Sequence, residues 1–197
     1  MVVKDSKGML HKDMSYKVLY EYLESKLNTT DTNTLERVVD AFNIVVYPSD
    51  TTIDHIDDVA VLCVINGGLI CSRNGGVFRF CTEGDFIFNE RCVEAEHSAH
   101  DQEIKTNEFT ITAELNFGMY FVIKNIVPEI DKLVMNILHE ENKFLRDRVQ
   151  SFQELSAKMR METFYAQYPD NWKRFKKYYI ASYLGIQKET LSRFNKS

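Results

Sequence analysis

The chain has 197 residues, 44% of them hydrophobic and 27% charged, with three prolines and eight glycines, a composition that excludes a disordered or fibrous protein. That length suits one large domain or one of roughly 120 residues with a small appendage. No apolar run reaches the roughly 20 residues that span a bilayer, and MVVKDSKGMLHKDMSYK lacks the apolar stretch of a signal peptide, so no membrane partner and a cytoplasmic location are expected. The net charge of −5 speaks against nucleic acid, yet it is unevenly shared: residues 1–150 hold 15 Lys and Arg against 25 Asp and Glu, while 151–197 hold 9 against 4. An acidic body with a basic terminus suggests a sensing part joined to one that touches a polyanion.

Tyr16, Leu19, Tyr20, Leu23 and Leu27 recur at helical spacing, with Asp13 or Ser15 as N-cap, and Leu35, Val38, Val39 and Phe42 continue the period over a second, short helix. From Asn43 the pattern predicts strands at NIVVY, VAVLCVI, LICSR, VFRF, FIF, EFTITAEL and GMYFVI. Asn66-Gly67-Gly68 and Asn74-Gly75-Gly76 fall between consecutive strands and predict tight hairpins. In EFTITAEL, Phe109, Ile111, Ala113 and Leu115 alternate with polar residues, which predicts one core face and one solvent face. About seven short strands indicate an antiparallel jelly-roll or barrel. The polar stretch NERCVEAEHSAHDQEIKTN reads as one long loop, a binding element or cover.

Cys63, Cys71, Cys81 and Cys92 are eight, ten and eleven residues apart, which fits neither a C-x2-C metal knuckle nor a compact disulfide framework. A four-thiolate site is the alternative, but the first three sit in apolar strands where a reduced thiol packs as a small hydrophobe.

Pro128 is placed as the first residue of a helix of about 25 residues, PEIDKLVMNILHEENKFLRDRVQSF, with Ile130, Leu133, Val134, Ile137, Leu138, Phe144, Leu145 and Phe152 on one broad stripe. Such a stripe is covered either by a partner helix, making a homodimer, or by folding back on the roll; Glu141 and Arg148 interrupt a clean heptad. Ser156 can cap a next helix carrying Met159, Met161, Phe164, Tyr165 and Tyr168, which Pro169-Asp170-Asn171 stops, and the basic cluster Lys173, Arg174, Lys176 and Lys177 follows.

YYIASYLGIQKETLSRF has helix-turn-helix grammar. Ile180, Ala181 and Leu184 form the inner face of one short helix, Gly185 makes the turn, and Ile186, Leu191 and Phe194 pack a second helix that exposes Lys188, Glu189, Ser192 and Arg193. An apolar face that fixes the helix angle and long polar side chains that reach base edges are what a recognition helix needs. The alternative is a basic hairpin that caps the fold.

KYYIASYLGIQKETLSRF resembles the helix-turn-helix of the Crp/Fnr family of transcription regulators, in the branch that reads close to KYIASYLGITPETLSRIR. FYAQYP, GDFI, the NGG turn and the leading helices fall in the family's order, so the resemblance covers nearly the whole chain. It implies an α+β fold: N-terminal helices and an antiparallel β-roll (jelly-roll) over residues 1–127, a long dimerisation helix over 128–153, and a small helix-turn-helix domain over 154–197. It also implies a homodimer on double-stranded DNA with a palindromic operator, no catalytic activity and no cofactor, RNA polymerase as a further candidate partner, and a small-molecule effector of unknown identity.

By position, the resemblance makes Lys188, Glu189 and Arg193 base-reading, a trio suited to G·C-containing half-sites. It puts Gln187, Thr190, Ser192, Lys196, Lys176 and Lys177 near phosphates. Gln187 replaces the usual Ser or Thr cap, and the sequence stops four residues after Arg193, where no β-wing is expected. The effector-pocket candidates are Phe86, Phe88, Asn89, Glu90, Lys105 and Thr106. Phe88-Asn89-Glu90 stands where the family has Gly-Glu, and no arginine lies between Cys92 and Asn125 to grip a cyclic phosphate. Glu94, Glu96, Asp101 and Glu103 would repel one, so neither cAMP nor cGMP is expected to bind.

Two other classes remain. A β-roll of cupin type could hold a metal, but His97 and His100 in a polar H-x2-H loop do not match cupin ligands, and there is no phosphate loop or nucleophile elbow, so no metal is expected. A dimeric β-roll sensor with weakened DNA binding that acts through protein partners is the third.

Overall fold

The computed structural model describes residues 6–89 and 102–194, with side chains from Met14 to Asn89 and from Gln102 to Arg193. Glu90, Cys92, Glu94, Glu96, His97, His100, Asp101 and Lys196 lie outside the described residues. Helices α1 (Ser6–Leu27) and α2 (Thr32–Asp40) precede seven strands: β1 (Asn43–Tyr47), β2 (Val59–Asn66), β3 (Leu69–Arg73), β4 (Gly76–Cys81), β5 (Phe86–Phe88), β6 (Gln102–Thr106) and β7 (Thr110–Asn116). Six helices follow: α3 (Phe117–Lys124), α4 (Glu129–Glu154), α5 (Ala157–Gln167), α6 (Pro169–Arg174), α7 (Lys177–Leu184) and α8 (Lys188–Phe194). Among the described residues no helix is long and apolar enough to cross a membrane.

The strands form two antiparallel sheets, ordered β1-β7-β2-β5 and β4-β3-β6. Period-two alternation sorts their side chains into layers. Val61, Cys63, Ile65, Ala113, Leu115, Phe86 and Phe88 face the helices and pack with Leu19, Leu23, Leu35, Ile130 and Leu133. Leu62, Val64, Leu69, Cys71, Cys81, Ile87 and Ile104 fill the space between the sheets. Ile70, Val77 and Phe80 project from the outer face of the smaller sheet into a third core, shared with the C-terminal helices. Cys63, Cys71 and Cys81 are buried free thiols, with Cys71 Sγ 4.0 Å from Cys81 Sγ.

Several expectations are corrected. Helix α1 is already running at Ser6, so neither Asp13 nor Ser15 is its N-cap, and Ser15 is buried. GMYFVI is helix α3 and not a strand: Asn116 Oδ1 accepts from Met119 N at 2.8 Å, and Tyr120 and Ile123 turn one face to the core. QEIKT, read as loop, is β6, paired antiparallel with β3 from Gln102 to Thr106. Asn74-Gly75 makes the β3–β4 hairpin with both residues at positive φ, 51° and 75°. Asn66-Gly67-Gly68 is not a hairpin, because β2 and β3 lie in different sheets and the turn carries the chain across. The polar face of EFTITAEL is not solvated either: β7 is a central strand, and Thr110, Thr112 and Glu114 point into the roll, while Phe109 is exposed. Pro128 stands one residue ahead of α4. PDNWKR forms the short helix α6 with Pro169 at its first position, where a missing N–H is harmless.

Ile130, Leu133, Val134 and Ile137 of α4 are buried in their own chain's core, so that half of the stripe folds back on the roll. Glu141 and Arg148, the apparent interruptions, also face the chain's own body: Glu141 pairs with Arg79 at 3.7 Å and Arg148 donates to the Val77 carbonyl at 3.3 Å. Removing these inward residues leaves a second, outward stripe at three-four spacing: Met135, Leu138, Asn142, Leu145 and Val149. Among these, Met135, Leu145 and Val149 are exposed.

Candidate nucleic-acid interface

Helix α7 ends on Gly185 at φ 64°, ψ 41°, a left-handed conformation that glycine adopts at little cost. The Gly185 N–H donates to the Ser182 carbonyl at 3.1 Å and the Ile186 N–H to that of Ala181 at 3.0 Å, the paired bonds of a Schellman ending. A second constraint also selects glycine: a Cβ there would stand 2.7 Å from Phe152 Cε1. The turn sends the chain into α8, whose Leu191 is fully buried with Ile180, Ala181 and Leu184 while Ile186 packs partly against them. Phe194 closes α8, its side chain outside the described ones.

The opposite face of α8 carries Lys188, Glu189, Thr190, Ser192 and Arg193, all exposed. The structure therefore brings the three expected base readers together on one helix face. Gln187 starts the helix with its backbone: its carbonyl accepts from Thr190 N at 3.0 Å and Leu191 N at 3.3 Å. The Ser192 hydroxyl donates to the Lys188 carbonyl at 3.0 Å, which directs its proton along its own helix.

The basic cluster is arranged differently from the sequence reading. Arg174 donates two N–H bonds to Glu83, at 2.8 and 2.6 Å, and a third to Glu108. Lys176 Nζ lies 2.6 and 2.8 Å from the two Asp50 oxygens, and Lys177 donates to the Trp172 carbonyl and lies 4.2 Å from that ring's centroid. Lys176 and Lys177 thus turn to partners within the chain instead of presenting a free phosphate-binding row. The acidic body and the basic terminus are complementary to each other. Hydrogen bonding to Arg174 pulls the Glu83 carboxyl down to about 2, and the same contact raises the Arg174 guanidinium further.

Apolar contacts reinforce this docking. The Phe175 ring lies 4.4 Å from that of Phe80, and Tyr183 lies 5.3 Å from Phe80. Val77, on edge strand β4, has its outward N–H taken by Ser182 Oγ at 3.0 Å, and Asn107 Nδ2 donates to the Arg174 carbonyl at 3.0 Å. Sequence reasoning missed Phe175, Ser182 and Asn107 and the partners of Arg174, because these contacts span 66 to 105 residues and leave no local signal.

Of the described effector-pocket candidates, Phe88 and Asn89 line one cleft of about 530 Å³ between the strands and α4, while Phe86, Lys105 and Thr106 are not in its lining. Phe86 and Phe88 face the helical core, and Asn89 Nδ2 donates to the Ile56 carbonyl at 2.9 Å. Thr106 is fully buried, its hydroxyl donating to the Pro48 carbonyl at 2.7 Å and accepting from Thr51 N at 2.8 Å. Lys105 sits on β6 opposite Ile70. Between the sheets the described residues leave a cavity of about 20 Å³ beside Leu62, Ile87 and Ile104, room for a water.

The Glu83–Arg174 contact predicts a pH dependence. A carboxyl held near 2 against an ordinary 4.5 stabilises the fold above about pH 4.5, and that contribution is lost as the pH falls toward 2. The pair is partly exposed, so about 1 kcal/mol is expected after solvent screening. Urea denaturation of Glu83→Gln against the parent chain should show this difference at pH 6 and little of it at pH 2.5.

No protein-family model matches the chain, and none of the curated proteins does. Solved structures do. The c-di-GMP-responsive global regulator CLP of Xanthomonas campestris matches with a TM-score of 0.66 at 17% identity, over 84% of this chain and 90% of that one. A transcriptional regulator of the Crp/Fnr family from Eubacterium rectale matches with 0.61 at 14% identity, over 86% and 83%. FixK2 of Bradyrhizobium japonicum matches with 0.60 at 18% identity, over 79% and 83%. At these identities the likeness defines the fold: a cyclic-nucleotide-binding-type β-roll with the helices of Crp/Fnr transcription regulators.

Proposed function

We propose that the chain is a sequence-specific DNA-binding transcription regulator of Crp/Fnr type that acts as a homodimer and does not answer to cAMP or cGMP. The observation that carries this reading is the left-handed Gly185 turn between two short helices, with Leu191 buried beneath a face of exposed Lys188, Glu189 and Arg193. Such a face meets base edges in the major groove, and a twofold dimer would read an inverted repeat with half-sites one helical turn apart. The lack of an arginine between Cys92 and Asn125 supports the nucleotide part of the reading.

Selection of bound fragments from random DNA tests it. A symmetric motif is expected, with Arg193→Ala costing about 1–3 kcal/mol and relaxing one base pair, and Lys196→Ala weakening all sequences alike. Recovery of no symmetric motif, with affinity at the non-specific level of about 10⁻⁴ to 10⁻⁶ M, would favour action through a protein partner. The engagement of Arg174 and Lys176 by the chain's own carboxylates is the observation on that side.

The dimer seam follows from the outward stripe of α4. Met135, Leu138, Asn142, Leu145 and Val149 fit alternating core positions of a two-stranded coil, where a single asparagine fixes register and strand number. Leu145→Asp and Val149→Asp are expected to give folded monomers in sedimentation. Ile137→Asp, which places a charge in the chain's own core, is expected to unfold the protein.

A further inference from the structure

A cleft of about 560 Å³ opens between α4, α5 and α7, with no residue of the strands or of α8 in its lining. Two guanidiniums line it. The Arg148 Cζ lies 4.9 Å and the Arg160 Cζ 4.6 Å from the centroid of the same Phe152 ring, which puts the two charges within roughly one Debye length of each other. Like charges held this close repel, and among the described residues neither stands in an ion pair. Asp147 and Glu154 also edge the cleft; Glu154 accepts from the neutral Gln150 amide at 3.0 Å and keeps its charge.

Both guanidiniums are fixed in place by backbone carbonyls. Arg160 donates from Nε to Leu184 at 3.1 Å and from Nη1 to Leu155 at 2.8 Å, and Arg148 donates from Nη2 to Val77. A guanidinium has five N–H groups, so each keeps donors to spare. Beside them stand flat aromatic walls: Tyr183, whose ring centroid is 4.1 Å from the Arg148 Cζ, together with Phe164 and Tyr168. A cleft of this volume matches a small-molecule site, and paired, pre-oriented guanidiniums match a phosphate.

We propose that this cleft binds a phosphomonoester dianion carrying a flat aromatic or heteroaromatic ring, of which a nucleoside 5′-monophosphate is the type. The two guanidiniums take the phosphate and the aromatic wall takes the ring. A dianion answers two positive charges better than the single charge of a cyclic phosphate. The occupant touches the long helix and two helices of the C-terminal unit at once, so its affinity depends on how those elements are set against each other. The site stands whether or not α8 reads DNA.

Titration of the full chain with 5′-AMP by calorimetry is the test, with adenosine, inorganic phosphate and cAMP as comparisons. Saturable one-to-one binding with Kd below about 1 mM is expected, with each comparison at least tenfold weaker. Arg148→Ala and Arg160→Ala should each weaken 5′-AMP at least tenfold in variants that melt as the parent does. Because Arg160 also holds two backbone carbonyls, photolabelling of the unaltered chain with 8-azido-AMP provides a second measurement, with label expected on peptides of α4, α5 or α7. Absence of 5′-AMP binding at 1 mM, unchanged affinity in both folded variants, or label confined to the roll would overturn the proposal.

Discussion

Replacement of Phe175 by alanine is expected to cost about 3–5 kcal/mol, the range for emptying a buried phenylalanine site. The ring is 2% exposed, packs on Phe80 at 4.4 Å and presses on the backbone at Gly68, where a Cβ would stand 3.0 Å from Cζ. It joins two layers, since Phe80 belongs to β4 and Phe175 to the C-terminal unit, between α6 and α7. Its loss therefore removes docking as well as core. In urea, a single cooperative transition should split or shift strongly to lower denaturant. Tyr165→Ala, at an aromatic position that is 47% exposed, should shift it far less. Equal effects of the two substitutions would show that the rings between roll and helices do not hold the units together.

The second large effect is expected at Glu114. Its carboxylate lies inside the roll, accepting from Tyr47 Oη at 2.7 Å, from Thr112 Oγ1 at 2.8 Å and facing His55 Nε2 at 3.0 Å. Glu114→Ala leaves the buried Thr112 hydroxyl without this acceptor and Tyr47 Oη with only His55 Nε2, at 3.0 Å, at a cost of about 2–3 kcal/mol. Glu114→Gln, which keeps an acceptor oxygen, should lose less than half of that. Burial, and then the hydrogen bond to Glu114, hold the Tyr47 phenol well above its ordinary 10. The folded chain keeps this phenol protonated where the unfolded chain ionises it, so stability falls as the pH rises above about 10. Thermal melts of the parent and both variants at pH 7 and pH 10.5 test the pair of expectations. A Glu114→Ala protein as stable as the parent would mean that the cluster contributes little.

Local patterns carried much of this architecture. The spacing of Leu19, Leu23 and Leu27, the Asn74-Gly75 turn and the Ser156 cap each report an interaction made within a few residues, and each is visible in the chain read as a string. The helix-turn-helix was legible for the same reason: Ala181, Gly185 and Leu191 act on one another across a single turn. Errors arose where the second partner was distant. Thr110, Thr112 and Glu114 look like a solvated face because the partners that bury them are partly distant: Glu114 is met by Tyr47 and His55, more than 50 residues away, and itself takes the Thr112 hydroxyl, while Thr110 donates to the Gly68 and Glu108 carbonyls. GMYFVI, apolar and without alternation, fitted either a buried strand or a helix; the deciding residue was Asn116, outside the apolar run. The stripe of α4 was seen as one surface although it is two, since only the fold shows that Ile137 faces inward and Leu145 outward. Arg174 looked like one of four equivalent cations until Glu83 and Glu108 were brought to it.

The chain has a single tryptophan, Trp172, and its place gives the molecule a built-in optical reporter. The indole is 5% exposed, with Tyr165 edge-on at 5.4 Å and the Lys177 ammonium 4.2 Å from the ring, and all of these belong to the C-terminal unit. Fluorescence excited at the red edge therefore sees this unit alone, while far-ultraviolet circular dichroism averages over the whole chain. A separation of the two signals during denaturation would measure directly how far the C-terminal unit can loosen while the roll stays intact.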